Sequence, residues 1–543
     1  MKNRIKQYLL AASMCVGLTA CSDFFEPIPG VQFGLDETFA SKQRTEEYLN
    51  NVYSYVREVT DAIHPNTYGG IFTEASLDGA NRWNKTYAEW TNGSFNSASA
   101  QASEYFSKYY QAIAKASTFI QNVDKCTEAA ASTRGKWKSE ARALRAYYYF
   151  ELLRLYGPIP LIGEDPIPLD ASLEELIKER NSVDECVNFI ATELQSAIDS
   201  GDLLQRAGKA NLGRMDVATC MALKAKLYLY WASPLFNGNT DQASVKNKDG
   251  KQLFPQTEDN SKWTQARDAY ERFMTFATGQ GYKLTEVYTN GKLDPYASCR
   301  AAGEFFTTTW EAVDELIFVK LRDLYDYTYW VCPKFTDFQD TDVTGGGGYY
   351  TTQETVDLFF TKDGLTIEED PGYDKFEGIP SANNFTSGRY YDPNNPSRLY
   401  FDADKSKVLK QWKDREPRFY VNITYSGSIW LNEGKYNEEM RTDFTNGANG
   451  TCGKSKASGD CPDSGYLIRR GAKASNNNGS KHFSPVLRLA DMYLGYAEAL
   501  CMCSDLDNAL TYLNKIRVRA GIPEYTFTAT AGKITCPKTC LLY

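Results

Sequence analysis

The strongest constraint on the fold is the run Glu140–Ile162, which reads EARALRAYYYFELLRLYGPIPLI. Apolar and aromatic residues recur at three- and four-residue steps between Trp137 and Leu155, which is the periodicity of one helix face. Ala143 and Ala146 keep neighbouring positions small, so a second helix can approach closely. Gly157-Pro158 predicts the end of the helix because proline cannot continue it. The run therefore predicts a long core helix in a helical protein.

Helical periodicity marks much of the remaining chain. The spacing of Ser182 and Glu185 is that of a capping box at a helix start. Near the end, stripes over Leu489–Leu500 and Leu506–Ile516, separated by a short turn, predict an antiparallel hairpin with Gly521 as its left-handed cap. The first half predicts helices over Lys42 to Val59, Ser103 to Asp124, Trp137 to Tyr156, Asp184 to Ser200 and Asp216 to Ala232.

The beginning of the chain has the pattern of an export signal. A basic start is followed by an apolar run, Tyr8–Leu18, that is too short to span a bilayer. Leu18-Thr19-Ala20-Cys21 then looks like a bacterial lipobox. We therefore expect residues 1–20 to be a lipoprotein signal peptide, Cys21 to be lipidated, and residues 21–30 to form a tether at the membrane.

Composition excludes several classes of function. A net charge of −9 and a pI near 5.2 give no electrostatic footprint for nucleic acid. Only two histidines are present, which disfavours a zinc site, and Asp337, Asp340 and Asp342 lack the spacing of a calcium loop. No metal site and no cofactor are therefore predicted, although bound calcium stays open. Gly345–Gly348 lacks the Lys-Ser/Thr of a phosphate loop and is interpreted as a flexible hinge. Cys452 and Cys461 share a polar loop in which a disulfide and two free thiols both remain open.

Six segments along the chain carry a recognisable pattern. In chain order they are ARALRAYYYFELLRLYGPIPL, LYLYWASPLFNG, TQETVDLF, DREPRF, SPVLRLADMYLGYAEAL and ALTYLNKIRVRAGIP. These segments resemble, in the same order, those of the SusD/RagB family, the surface glycan-binding lipoproteins of Bacteroidetes-type bacteria. One position departs from the family pattern, because Glu416 stands where the family's RDPRF segment has aspartate.

The resemblance implies a mainly α fold in which tetratricopeptide-like antiparallel helix pairs form a scaffold beside a long loop-rich region with short strands. We assign residues 31–523 to this domain, with the scaffold at 42–232 and 486–520 and the loop-rich insert at 237–485. Short strands are expected in the insert over Leu316 to Lys320 and Phe419 to Tyr425. The Thr-rich tail, 524–543, departs from the family pattern and is interpreted as a truncated end.

A carbohydrate site needs flat aromatic rings beside planar hydrogen-bonding groups. The resemblance places such a site on early and middle loops, although loop tryptophans that only seal the scaffold remain an alternative. Trp430 is a weaker candidate, and the tryptophans in helical patterns, Trp137, Trp231, Trp263 and Trp310, are assigned to packing. The candidate ligand-binding residues are Asp78, Arg82, Trp83, Asn84, Tyr327 and Trp330.

No catalytic motif is recognisable, so a binding protein is favoured over an enzyme. The resemblance implies a cell-surface lipoprotein of the outer membrane that captures oligosaccharide or polysaccharide and delivers it to a SusC-like TonB-dependent transporter. Two alternatives stay open. A glycoside hydrolase is possible among 69 acidic residues, and some relatives in the family use peptides as cargo.

Overall fold

The computed structural model describes residues 34–56, 63–64, 67–68, 76, 79–82, 93–168, 171–303, 314–322, 329–335, 345–375, 378–431, 440–445, 452, 460–472 and 482–536. Helices dominate it. In chain order they are α1 Leu35–Ala40, α2 Lys42–Tyr53, α3 Ala100–Asn122, α4 Ala131–Tyr156, α5 Leu173–Leu176, α6 Val183–Asp199, α7 Val217–Ala232, α8 Ser261–Gly279, α9 Pro295–Gly303, α10 Gln353–Asp357, α11 Pro417–Asn422, α12 Leu489–Met502 and α13 Leu506–Arg519.

The long helices pack in a consecutive series. Helix α3 lies against α4, α4 against α6, α6 against α7, α7 against α8, α8 against α12, and α12 against α13. One large apolar cluster runs through all of them. An added Cβ at Gly495 on α12 would overlap the Tyr270 hydroxyl of α8, so the close approach of these two helices requires glycine. The scaffold of paired helices predicted from the sequence is confirmed.

Helix α4 ends at the predicted residue, Tyr156, and has the predicted burial, but it begins at Ala131, six residues before the predicted start at Trp137. Its interior side chains, from Leu144 to Leu153, are buried almost without interruption. It stops at Gly157, whose φ of +69° is a left-handed conformation that favours glycine. The capping box of α6 is also confirmed, because the Ser182 N–H donates to a Glu185 carboxylate oxygen at 2.7 Å.

A buried ion pair joins α4 to α6 inside the scaffold. The Arg145 side chain is fully buried, and its Nη2 lies 2.5 Å from Oε2 of Glu193, which is also buried. Arg145 also donates to the Ser117 hydroxyl at 3.0 Å. At the rim, Arg142 Nη1 lies 2.8 Å from the second oxygen of Glu193. The carboxylate of Glu193 therefore compensates two guanidiniums, one of which has no access to water.

The structure corrects three local predictions. Helix α8 lies inside the range assigned to the loop-rich insert, and it packs between α7 and α12 as part of the scaffold. The stretch Phe419 to Tyr425 is not one strand, because Pro417 begins helix α11 and only Ile423–Thr424 are extended. Helix α2 ends at Tyr53 rather than at Val59, which lies outside the described residues.

The strands between the helices form small sheets. Strands β3 Ala80–Asn81, β7 Tyr349–Tyr350, β10 Ile423–Thr424 and β11 Leu467–Ile468 form a four-stranded sheet in the order β10-β11-β7-β3. The other pairs are antiparallel except the last. They are β1 Ile63–His64 with β2 Thr67–Tyr68, β4 Tyr288–Thr289 with β5 Lys292–Leu293, β6 Leu316–Arg322 with β12 His482–Arg488, β8 Arg389–Asp392 with β9 Asn395–Asp402, and β13 Tyr525–Thr526 with β14 Ile534–Thr535.

The described part of the tail packs against the last scaffold helix. The Arg517 guanidinium lies over the Tyr525 ring, with its carbon 3.5 Å from the ring centroid. The Asn514 side chain donates to the Tyr525 carbonyl at 2.9 Å and accepts from its N–H at 2.8 Å. Gly521 takes the predicted left-handed conformation, with φ +76°. Residues 524–536 therefore cover the end of α13.

Helix α7 begins at a buried carboxylate that should make stability depend on pH. Asp216 accepts from the N–H groups of Thr219 and Ala207, both at 2.7 Å. Burial raises its pKa from 3.8 to about 6. Between these values the folded state binds more protons than the unfolded state, so this group's contribution to stability is present below pH 4 and is lost as the pH rises through 6.

We therefore expect the wild type to lose stability relative to the Asp216→Asn variant as the pH rises. The free energy of unfolding of the wild type, minus that of the variant, should fall by roughly 2 to 3 kcal/mol from pH 4 to pH 6. Urea titrations of both proteins at several pH values measure this difference. The asparagine removes only the titration at position 216. The other carboxylates are present in both proteins, so their contributions to the pH dependence cancel in the comparison. Parallel pH profiles for the two proteins would contradict the proposed titration of Asp216.

Candidate functional site

The glycine run Gly345–Gly348 forms the centre of the candidate site. All four residues are buried, and their N–H groups donate in turn to the carbonyls of Pro333, Tyr329, Cys332 and Trp330, at 3.0, 2.8, 2.9 and 3.2 Å. An added Cβ at Gly346 would overlap the indole of Trp330, and one at Gly345 would lie 2.5 Å from the Cys332 carbonyl oxygen. The interpretation of this run as a flexible hinge is therefore wrong. Glycine is needed here for close packing.

The same run joins the early loop to the middle loop. Strand β3 pairs with β7, which immediately follows the glycines, with Ala80 opposite Tyr350 and Asn81 opposite Tyr349. The Arg82 N–H then donates to the Gly348 carbonyl at 3.1 Å. Because the Gly348 N–H donates to the Trp330 carbonyl, a single residue, Gly348, connects the backbones of Arg82 and Trp330. Two predicted site segments that are far apart in sequence therefore lie side by side.

Arg82 is held by a third segment. Its Nη1 donates to the Cys461 carbonyl at 3.0 Å and forms an ion pair with Asp463. The Arg82 side chain is 19% exposed and that of Asp463 is 53% exposed, so the pair is held at the protein surface. Both groups keep hydrogen-bonding capacity for a polar ligand, because a guanidinium carries five N–H donors and a carboxylate four lone-pair positions.

Trp330 is positioned by its neighbours and remains partly exposed. Its indole packs against a small apolar cluster that includes Tyr349 and Trp430. The Tyr329 ring meets it edge-on, with centroids 4.8 Å apart. A partly exposed, wedged indole offers the flat face on which a sugar ring can stack.

The weaker candidate Trp430 does not fit a binding role. Its side chain is fully buried in the same cluster, and the Arg469 guanidinium lies 5.7 Å from its ring centroid. The indole has no face open to solvent, so it supports the site from beneath. The helical tryptophans Trp137, Trp231 and Trp263 are buried, in agreement with their assignment to packing.

The other predicted site residues lie outside the described part of the chain. These are Asp78, Trp83, Asn84 and Tyr327, and Trp310 and the lipidation candidate Cys21 fall outside it as well. Sequence reasoning missed Asp463 and Tyr329. No local sequence pattern indicated Asp463 as a site residue, because it joins the site through an ion pair with Arg82, which lies 381 positions away in the sequence. Tyr329 had one, since it stands in the tyrosine-rich run before Trp330.

The described geometry suits the binding of a neutral polar ligand. The carboxylates near Arg82 are occupied, since Asp463 pairs with Arg82 and Asp460 with Lys334. No group of His, Cys, Asp or Glu in the described residues is arranged to hold a metal ion. Likewise, none of the helices that the structure describes is long and apolar enough to cross a membrane.

Comparison with known proteins identifies the family. A family model described as "SusD family" matches residues 315–537, and one described as "Starch-binding associating with outer membrane" matches residues 32–229. Between them these matches cover most of the chain, including both segments that meet at Gly348. The protein belongs to the SusD/RagB family.

Individual relatives agree with this membership. A SusD-like protein from Bacteroides ovatus is 27% identical over 175 residues, a match that spans 31% of this chain and 30% of the relative. The solved structure of BT4246 superimposes with a TM-score of 0.70 at 24% identity, covering 92% of this chain and 86% of that one. A SusD-like protein from Bacteroides fragilis gives a TM-score of 0.65 at 21% identity, covering 92% and 83%. At these identities the two structures support the fold.

Proposed function

We propose that this protein is a non-catalytic, lipid-anchored glycan-binding protein of the outer membrane that delivers oligosaccharides to a SusC-like TonB-dependent transporter. The proposal rests on the backbone connection through Gly348 between Trp330, whose side chain is partly exposed, and Arg82, which pairs with Asp463 at the protein surface. An indole face beside hydrogen-bonding groups is the chemistry that recognises a sugar. The family description "Starch-binding associating with outer membrane" supports a polysaccharide ligand and this location.

Lipid anchoring rests on the sequence alone. Cys21 follows a basic start and an apolar run in the order that lipoprotein export requires. Several acyl chains on this one residue would hold the protein at the membrane. Anchoring would keep the binding surface near a transporter in the same membrane, which is the arrangement that delivery needs.

A glycoside hydrolase is the less favoured alternative. Hydrolysis needs two carboxyl groups on either side of the scissile bond, one of them able to donate a proton. The described carboxyl groups nearest Arg82 are instead paired with Arg82 and with Lys334. Peptide binding remains the second alternative, because an aromatic platform beside charged groups also accepts a peptide.

Trp330→Ala is the direct test of the proposed binding surface. We expect it to weaken the affinity for the recognised polysaccharide at least about fivefold, because loss of a stacking aromatic typically costs about 1 kcal/mol or more. Affinity gels with a panel of polysaccharides measure the loss. Tyr288→Ala is the matched control, since that ring is 61% exposed on a different hairpin and its removal should leave retardation unchanged.

If polysaccharide retarded both variants, Trp330→Ala and Tyr288→Ala, as strongly as it retards the wild type, the ligand would not stack on Trp330. Retention of peptides alone, with no polysaccharide retarded, would favour the peptide alternative. Release of shortened sugars by the wild type would favour the hydrolase.

A further inference from the structure

A cavity of about 370 Å³ lies among residues that are separate from those of the Trp330 surface. Its wall carries five cationic side chains, each from a different part of the fold. They are Lys226 on α7, Arg418 on α11, Arg470 two residues after β11, Arg488 at the end of β12 and Arg519 at the end of α13. Three of them belong to the segments DREPRF, SPVLRLADMYLGYAEAL and ALTYLNKIRVRAGIP, for which the proposed function gives no role.

The deepest cations share one counter-charge. Both carboxylate oxygens of the buried Glu315 lie 2.8 Å from Nη1 of Arg519. The Arg488 guanidinium lies 3.7 Å from the same carboxylate and donates to the Ala302 carbonyl at 3.1 Å. One negative charge therefore serves two guanidiniums at this end of the cavity.

Among the described residues, Glu315 is the only carboxylate that forms an ion pair with Arg488 or Arg519. Glu416 pairs with Arg418, with one of its oxygens 3.0 Å from Nη2. Asp491 pairs with Lys226 and also attracts the Arg488 guanidinium. Both acids therefore have a cation of their own, and two guanidiniums share the carboxylate of Glu315.

Two further observations favour the binding of an anion in this cavity. The Arg519 side chain is only 7% exposed, yet its Nε–H has no acceptor among the described residues. Removal from water, together with the positive charge of Arg470, lowers the pKa of Arg488 to about 10. A buried donor without an acceptor and a guanidinium crowded by like charge are both costly, and a bound anion would relieve both.

The backbone favours an anion at the same place. The 14-residue helix α12 begins at Leu489, and Ala490 and Asp491 of its first turn line the cavity. The Leu489 N–H already donates to the Glu315 carbonyl at 2.8 Å, whereas the N–H groups that follow it have no partner within the helix and carry partial positive charge. Helix starts combined with arginine side chains are the usual way in which proteins bind phosphate and sulfate groups.

We propose that this cavity binds an oxyanion, either free inorganic phosphate or sulfate or the carboxylate of an acidic sugar, between Arg488, Arg519 and the start of α12. The proposal does not depend on the proposed function, because the two sites share no residue. Guanidinium groups can hold the negatively charged oxygens in bidentate fashion, and the free Nε–H of Arg519 would gain an acceptor.

Leu494 offers a test that leaves the arginines in place. It lines the cavity one turn after Ala490 and is 44% exposed, so a longer polar side chain is accommodated there. Leu494→Glu adds a carboxylate that would compete with a bound anion. Leu494→Gln has the same size and shape without the charge, and is the matched control.

Calorimetric titration with sodium sulfate, sodium phosphate and glucuronate, each at constant ionic strength in chloride, measures binding directly. We expect saturable binding of at least one of them to the wild type and to Leu494→Gln, and an affinity at least about tenfold weaker in Leu494→Glu. Preference for sulfate or phosphate would identify an inorganic ligand, and preference for glucuronate an acidic sugar. We also expect Leu494→Glu to melt about 2 °C higher than Leu494→Gln in low salt, because its own carboxylate takes the place of the anion.

Two results would overturn the proposal. One is the absence of saturable heat with all three anions in the wild type. The other is equal binding by Leu494→Glu and Leu494→Gln, which would mean that the anion is held elsewhere as an adventitious ion only. Neither result would affect the proposed function, since glycan retardation depends on Trp330 and is measured separately.

Discussion

Replacement of Glu193 by glutamine is expected to lower the free energy of unfolding by about 3 to 5 kcal/mol. Arg145 is fully buried and depends on Glu193 for its counter-charge, with Nη2 and Oε2 2.5 Å apart. Removing the negative charge leaves a guanidinium without access to water and with only the Ser117 hydroxyl as a further side-chain acceptor. Urea unfolding followed by tryptophan fluorescence measures the loss.

Glu164→Gln is the matched control. Glu164 also pairs with Arg142, at 3.4 Å, but its side chain is 71% exposed, so the change should cost less than about 1 kcal/mol. The double replacement Arg145→Met with Glu193→Met should recover much of the loss, because no uncompensated charge remains in the core. Equal stability of Glu193→Gln and Glu164→Gln would contradict the role given to the buried pair.

Replacement of Gly345 by alanine should have the second large effect, a destabilisation of roughly 3 kcal/mol together with loss of glycan binding. The added methyl group would meet backbone atoms of Tyr329 and Cys332, which have no freedom to move aside without breaking the hydrogen bonds from Gly346 and Gly347. Trp330 lies between these residues, so its indole would shift with them. Thermal unfolding and affinity gels measure the two effects.

Gly163→Ala controls for the general effect of a glycine replacement. Nothing lies within 4 Å of an added Cβ at Gly163, and its φ is outside the left-handed region, so stability and binding should be unchanged. If Gly345→Ala behaved in the same way, the glycine run would be mobile, as its sequence suggested, and would not order the site.

The scaffold could be predicted because its signals are local. Periodicity, the Ser182–Glu185 capping box and the Gly157 stop each depend on residues within a few turns of one another, and the structure confirms all three. Helix α8 was hidden because it is flanked by long polar stretches. The strand expected at Phe419 failed because Pro417 at the first helical position, an effect of one residue, outweighed a run of β-favouring side chains.

The candidate site was predictable only in part. Its aromatic and polar composition pointed to Arg82 and Trp330, but the contact between their segments passes through Gly348 and a strand pairing over hundreds of residues. Four glycines in a row are equally compatible with mobility and with tight packing. The glycine run packs tightly because its N–H groups find carbonyl acceptors in the segment around Trp330. The sequence pattern does not specify where that segment lies, so it could not distinguish tight packing from mobility.

The central claim is that this protein holds a glycan by contact and breaks no bond. The most direct measurement is electrophoresis of the purified wild type through gels that contain a panel of polysaccharides, followed by chromatography of each sugar after prolonged incubation. We expect at least one polysaccharide to retard the protein and to be recovered at its original length. Recovery of shortened chains, or the absence of retardation by any polysaccharide, would contradict it.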